Sequence, residues 1–85
     1  MNPQIIPEVT DTLEIDDMNV TVHVKVNRGY ICASGMKITL YVDENYGLVE
    51  CTGMKSAVTI QNNHATGWCM NIGNKSELKV LNQKS

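Results

Sequence analysis

Apolar and polar residues alternate along most of this chain, and a short recurring step interrupts the alternation. Residues 29–37 read Gly-Tyr-Ile-Cys-Ala-Ser-Gly-Met-Lys, and residues 47–55 read Gly-Leu-Val-Glu-Cys-Thr-Gly-Met-Lys. The shared frame is Gly, an apolar residue, four more residues, then Gly, one residue and Lys. It returns at 67–75 as Gly-Trp-Cys-Met-Asn-Ile-Gly-Asn-Lys. A copy without the glycine precedes these, because 17–24 (Asp-Met-Asn-Val-Thr-Val-His-Val) aligns with 35–42 (Gly-Met-Lys-Ile-Thr-Leu-Tyr-Val). Four units are thus centred on Asp17-Met18, Gly35-Met36, Gly53-Met54 and Gly73-Asn74, at spacings of 18, 18 and 20 residues. A repeat of this length governs the whole fold reading.

Gly plus one residue between two β-rich runs has the composition of a two-residue type II′ hairpin turn, with Gly at the positive-φ position. Residues equidistant from such a turn share a face. Around Gly35-Met36 one face collects Ala33, Ile38, Ile31, Leu40 and Val42; the other collects Ser34, Lys37, Cys32, Thr39, Tyr30 and Tyr41. The units at Asp17-Met18 and Gly53-Met54 sort in the same way, and the fourth is blurred. Alternation rich in Val, Ile, Thr and Tyr is strand, and no stretch longer than a turn carries helical period. The prediction is an all-β antiparallel meander of about eight short strands, built from four hairpins and closed as a small barrel or folded into two layers. A short β-solenoid is the alternative. In it Leu13, Ile31 and Val49 stack as one ladder, Val22, Leu40, Val58 and Leu78 as a second, and Val24, Val42, Ile60 and Val80 as a third. The connections at 27–29, 43–47 and 61–67 favour the meander, since they read as ordinary turns between hairpins.

At 85 residues the chain makes one small domain, and without phenylalanine its core is thin. Self-association would add burial, so a homo-oligomer is expected. Residues 1–11 read as an extended acidic arm, at best an edge segment because of Pro3 and Pro7. Residues 12–82 form the β domain, and 83–85 a C-terminal tail. Net charge is −2, yet Glu8, Asp11, Glu14, Asp16 and Asp17 place five negative charges in the first 17 residues. No global positive field draws the chain to nucleic acid or membrane. There is neither a signal-like start nor an apolar run of spanning length. With an odd number of cysteines, Cys32, Cys51 and Cys69, a reduced cytoplasmic chain is the expectation.

Candidate chemistry is sparse. The cysteines and His23 and His64 lack the spacing of metal knuckles, so no metal and no cofactor is expected. Neither a nucleophile elbow nor a phosphate-cradling loop is present, and each His stands without a carboxylate partner nearby in sequence. An enzyme is not expected. On the hairpin register Tyr30 and Tyr41 are cross-strand partners on the outward face. Tyr30, Tyr41, Leu48, Trp68, Met70 and Ile72 form the candidate interaction face. Beside them His23, Lys37, Lys55, Lys75 and Lys79 (the last opposite Trp68) are candidate anion or ligand contacts. The favoured function is a non-catalytic protein that binds itself or another protein. The alternative is a module for a nucleotide or single-stranded nucleic acid, with bases stacked on aromatics and phosphates paired to lysines.

Overall fold

In the computed structural model, which describes residues 4–84, nine strands wind as a parallel β-solenoid. The strands are β1 (Gln4–Val9), β2 (Thr12–Ile15), β3 (Thr21–Asn27), β4 (Tyr30–Ala33), β5 (Thr39–Asn45), β6 (Leu48–Cys51), β7 (Ala57–Asn63), β8 (Trp68–Asn71) and β9 (Glu77–Gln83). Odd-numbered strands stack as a five-stranded sheet in the order β1-β3-β5-β7-β9, and even-numbered ones as a four-stranded sheet in the order β2-β4-β6-β8. Every pairing is parallel. Each coil therefore runs through a long strand, a tight corner, a short strand and a five-residue loop. Isolated parallel bridges Met18–Met36 and Met36–Met54 tie that loop to its neighbours.

The antiparallel meander is thereby corrected. The strands flanking each Gly-Met-Lys step pair with the same strands of the next coil, not with each other. Leu40 lies beside Val22 and Val58, and Ile31 beside Leu13 and Val49, as the solenoid ladders require. The facial sorting nevertheless holds. Ile31, Ala33, Ile38, Leu40, Val42, Val49, Cys51, Val58 and Ile60 are all buried in one core between the two sheets. A hairpin and a flattened coil share inward parity on either side of a bend, so alternation cannot tell them apart. Stacking at a fixed period does.

Three columns explain why the coils stack. Asn27, Asn45 and Asn63 lie buried, 18 residues apart, and pass hydrogen bonds along the axis. The Asn27 amide donates to Asn45 Oδ1 (2.8 Å), Asn45 to Asn63 Oδ1 (2.8 Å) and Asn63 to Gln83 Oε1 (2.9 Å). Among the described residues no buried side-chain nitrogen or oxygen is left without a partner. A buried polar group left unpaired would cost about 1–3 kcal/mol, so the ladder sets the register. The second column is Gly35, Gly53 and Gly73, which sit on the coil below so closely that a Cβ on any of them would overlap the backbone oxygen of Asp17, Gly35 or Gly53 respectively. Asp17 heads the column and, among the described residues, has no coil stacked beneath it to exclude a side chain.

The third column is conformational. No glycine has positive φ; the left-handed position falls on Asn19, Lys37, Lys55 and Lys75, at φ 56–58°. The expected type II′ turn with Gly at positive φ is thus also corrected: Gly serves close packing, and Lys bears the strained backbone. Left-handed backbone costs a residue with a Cβ about 1–2 kcal/mol, less for Asn.

The ends of the chain sharpen the domain reading. Gln4–Val9, expected as part of an arm, is an edge strand on β3, and Arg28 Nε bonds Glu8 Oε2 at 3.1 Å. Residues 1–3 of the expected arm and Ser85 of the expected tail lie outside the described residues, while β9 runs to Gln83. The spacing of 20 arises from a two-residue insertion in the corner 64–67: Asn45 still matches Asn63, but Leu48 matches Trp68.

Two contrasts test this account. Gly53→Ala is expected to lower stability by more than about 2 kcal/mol through overpacking, whereas Lys55→Asn raises it by about 0.5–1 kcal/mol by easing the left-handed residue. Chemical denaturation of both variants checks the pair. Asn45→Ala breaks the ladder on both sides and is expected to cost roughly 3 kcal/mol, read in the same measurement.

Candidate functional site

The outward positions divide among separate sides of the coil stack. On the long sheet, His23, Tyr41, Thr59 and Lys79 form one row. On the short sheet, Thr12, Tyr30, Leu48 and Trp68 form a second row, with Glu14, Cys32, Glu50 and Met70 beside it. Lys37 and Lys55 follow the bridged Met36 and Met54 in their loops, Lys75 takes the equivalent position after Asn74, and Ile72 lies in the last loop. Tyr30 and Tyr41 are therefore not cross-strand partners, and Lys79 does not face Trp68. Trp68 does take the place of Tyr30 two coils on, and His23 that of Tyr41 one coil earlier, as the repeat predicts. The candidate row of aromatics and lysines is spread over three sides.

Local chemistry on these sides follows one rule. Parallel neighbours are one coil apart, and the diagonal neighbour on the same face lies two residues further. Side-chain bonds use that diagonal repeatedly. The Tyr30 hydroxyl donates to Glu50 (2.7 Å), Tyr41 to Gln61 (2.8 Å), and His23 Nε2 meets Asp43 (2.9 Å). Where β7 enters the corner 64–67, His64 Nε2 meets Glu44 (2.7 Å), and Asn62 also donates to Glu44. Above that pair the His64 ring lies flat on Tyr46 at 4.1 Å between centroids, and the Arg28 guanidinium covers Tyr46 at 4.7 Å. The carboxylates Asp43 and Glu44 were missed as histidine partners because they are 20 residues away; the period, extended by two, is the signal that finds them.

These contacts set the charges. The hydrogen bond from His64, with that from Asn62, holds the Glu44 carboxyl below its ordinary range. The bond to the Glu50 carboxylate, helped by Cys32, keeps the Tyr30 phenol well above its own. Burial pushes the Cys51 and Cys69 thiols up. Both thiols are thus held protonated, which suits packing and not nucleophilic attack.

Exposed apolar side chains occur in several coils, Ile5 and Met18 in the first among them, and four gather at one end. Trp68 and Ile72 are 62% and 69% exposed, and Leu78 and Leu81 are exposed beside them. All four belong to the last coil. There β8 pairs only with β6 and β9 only with β7, so both present an unpaired edge among the described residues. Leu78 and Val80 continue core ladders whose members on β5 and β7 are fully covered, so here the core is open. Lys75, Lys79 and Lys84 surround this end with one acidic residue, Glu77. The opposite end carries Glu8, Asp11, Glu14, Asp16 and Asp17.

Comparison with protein-family models, with curated proteins and with solved structures finds no match. Among the described residues no helix is long and apolar enough to cross a membrane.

The lowered Glu44 carboxyl contributes stability above about pH 4.5, its ordinary value, and that contribution fades as pH falls through its folded value. Glu44→Gln is therefore expected to lower Tm at pH 7 and to make a smaller difference at pH 3. Thermal melts at both pH values check it.

Proposed function

We propose that this protein is a non-catalytic assembly module, whose partner is a second copy docked end to end on the open last coil. The observation that carries the reading is the coincidence at one end of two unpaired strand edges, an uncovered core ladder and four exposed apolar side chains. An uncovered edge is a template for another strand, and proteins that stay single blunt it. Charge favours the acidic end of one copy over the basic end of the next. The long sheet has one strand more than the short one, so it meets its copy first, β9 against β1. Such a head-to-tail contact does not close on itself, and it builds open chains of copies.

Several observations support a binding role over catalysis. Each titratable cluster described above is satisfied within its own face, with hydroxyls and imidazoles already bonded to carboxylates or amides. A reducing, cytoplasmic setting belongs to the same reading, in keeping with the free thiols of Cys32, Cys51 and Cys69. The alternative reading, a nucleotide or single-stranded nucleic acid on one aromatic–lysine face, has less behind it: His23, Tyr41 and Lys79 share a row on the long sheet, but Tyr30, Trp68, Lys37, Lys55 and Lys75 lie on other sides.

Sizing chromatography with light scattering tests the proposal. A mass that rises with protein concentration and falls with added salt is expected. Trp68→Ser with Ile72→Ser should shift the chain to a single copy without loss of β-sheet signal. A monomer at all concentrations, indifferent to these changes, overturns it. A mixed complex with a different protein at the same end leaves the site but replaces the second copy as occupant.

A further inference from the structure

Of the repeated Gly-Met-Lys step, Gly is explained by close packing and Lys by the left-handed turn. Met has no such role. Met18 is 62% exposed and Met54 40%, with Met36 half-buried between them. A methionine whose only job was packing would turn inward, where its flexible thioether fills gaps. These three instead line a surface groove of about 440 Å3, together with Asp16, Asp17, Ser34 and Thr52. The backbones of the three are in register, bridged Met18 to Met36 and Met36 to Met54. The column stops at Asn74, whose carbonyl accepts from the Lys55 amide.

We propose that this groove is a binding site for a soft monovalent cation, Cu(I) or its analogue Ag(I), held by the thioethers of Met18, Met36 and Met54. Thioether sulfur is a soft donor that selects such ions over Mg, Ca and Zn. In-register stacking sets neighbouring Cα atoms about 4.7–4.9 Å apart, so the outer two methionines stand about 10 Å from each other across the middle one. Three rotatable bonds per side chain let both sulfurs lean towards Met36 and close that gap. The carboxylates of Asp16 and Asp17 at the groove's first coil add negative charge without hard-ligand geometry, which favours a cation over a neutral apolar guest. The site forms only when coils are stacked, because no two of the three methionines are near in sequence. It is independent of the open end, since it lies in the loops of the first three units.

The test is a titration of the full chain with Ag(I), which needs no redox control, read at the methionine ε-methyl signals by 13C NMR. Thiols hold silver more tightly, so the part-exposed Cys32 and Cys69 fill first while Cys51 is shielded in the core, and the phase beyond them is the one that counts. In that phase the methyls of Met18, Met36 and Met54 are expected to move together and saturate with one further equivalent, while Met70, on the short sheet, stays in place. Met36→Leu should weaken that phase at least tenfold with an unchanged circular dichroism spectrum. Met18→Leu, at the most exposed position of the three, gives the same result where the central change disturbs folding. The proposal is overturned if the three methyls move no more than that of Met70, or if both leucine variants titrate like the parent chain.

Discussion

The structure depends on one constraint: each coil must lie on the last at a single strand spacing, about 4.7–4.9 Å, all the way round. Everything that repeats in the sequence answers to that requirement. At Asn27, Asn45 and Asn63 it turns a buried amide from a cost into a chain of bonds, because the partner is the same residue one coil away. At Gly35, Gly53 and Gly73 it removes the side chain, since a methyl group would hold the coils apart. At Lys37, Lys55 and Lys75 it imposes one backbone conformation on a residue that does not prefer it. Ser56 and Ser76 fit the same scheme: their hydroxyls accept from the amides of Ile38 and Ser56 in the coil before. Polar groups in this core are held by neighbours along the axis more than by neighbours within a coil.

Sequence reading reached the faces and the period but chose the wrong connection between them. Inward residues such as Ile31, Leu40, Val49 and Val58 follow from alternation alone, and the three ladders follow from the period. Whether Ala33 and Ile38 flank a hairpin or an arc leaves both inside, so parity carries no information on strand direction. The decisive signal was present in Asn27, Asn45 and Asn63. A turn-forming residue that recurs at a fixed interval at the end of an apolar run is a ladder residue, whereas a hairpin corner needs no such recurrence. The surface was less legible. Tyr30 and Tyr41 share a face in the hairpin and opposite sheets in the coil, so the candidate row dissolved with the fold that assembled it. His23 and His64 gained carboxylates only once strands were known to be parallel.

The outer surface is polar and locally satisfied along most of the body of the stack, and apolar side chains are exposed at its ends, Ile5 at the first and four at the last. This division follows from what stacking can do. Within the body, a side chain always has a diagonal neighbour one coil up or down, and Tyr–Glu, His–Asp and Tyr–Gln pairs use it. At the final coil that neighbour is missing on one side, so apolar ladders and strand edges that are covered elsewhere meet solvent. The methionine groove is the exception within the body: a repeated apolar column that faces outward although its coils are complete.

The corner at residues 64–67 has two residues more than its equivalents, yet Asn63 remains in the amide ladder and Trp68 remains on β6. Lateral growth and axial order are therefore separable in this architecture. A strand cannot change length without throwing every later ladder out of phase, but a corner can swell outward and hand the chain back in step. Over evolutionary time such corners can take on new sequence while the stack stays as it was, much as balconies can be added to a tower whose floors keep their height.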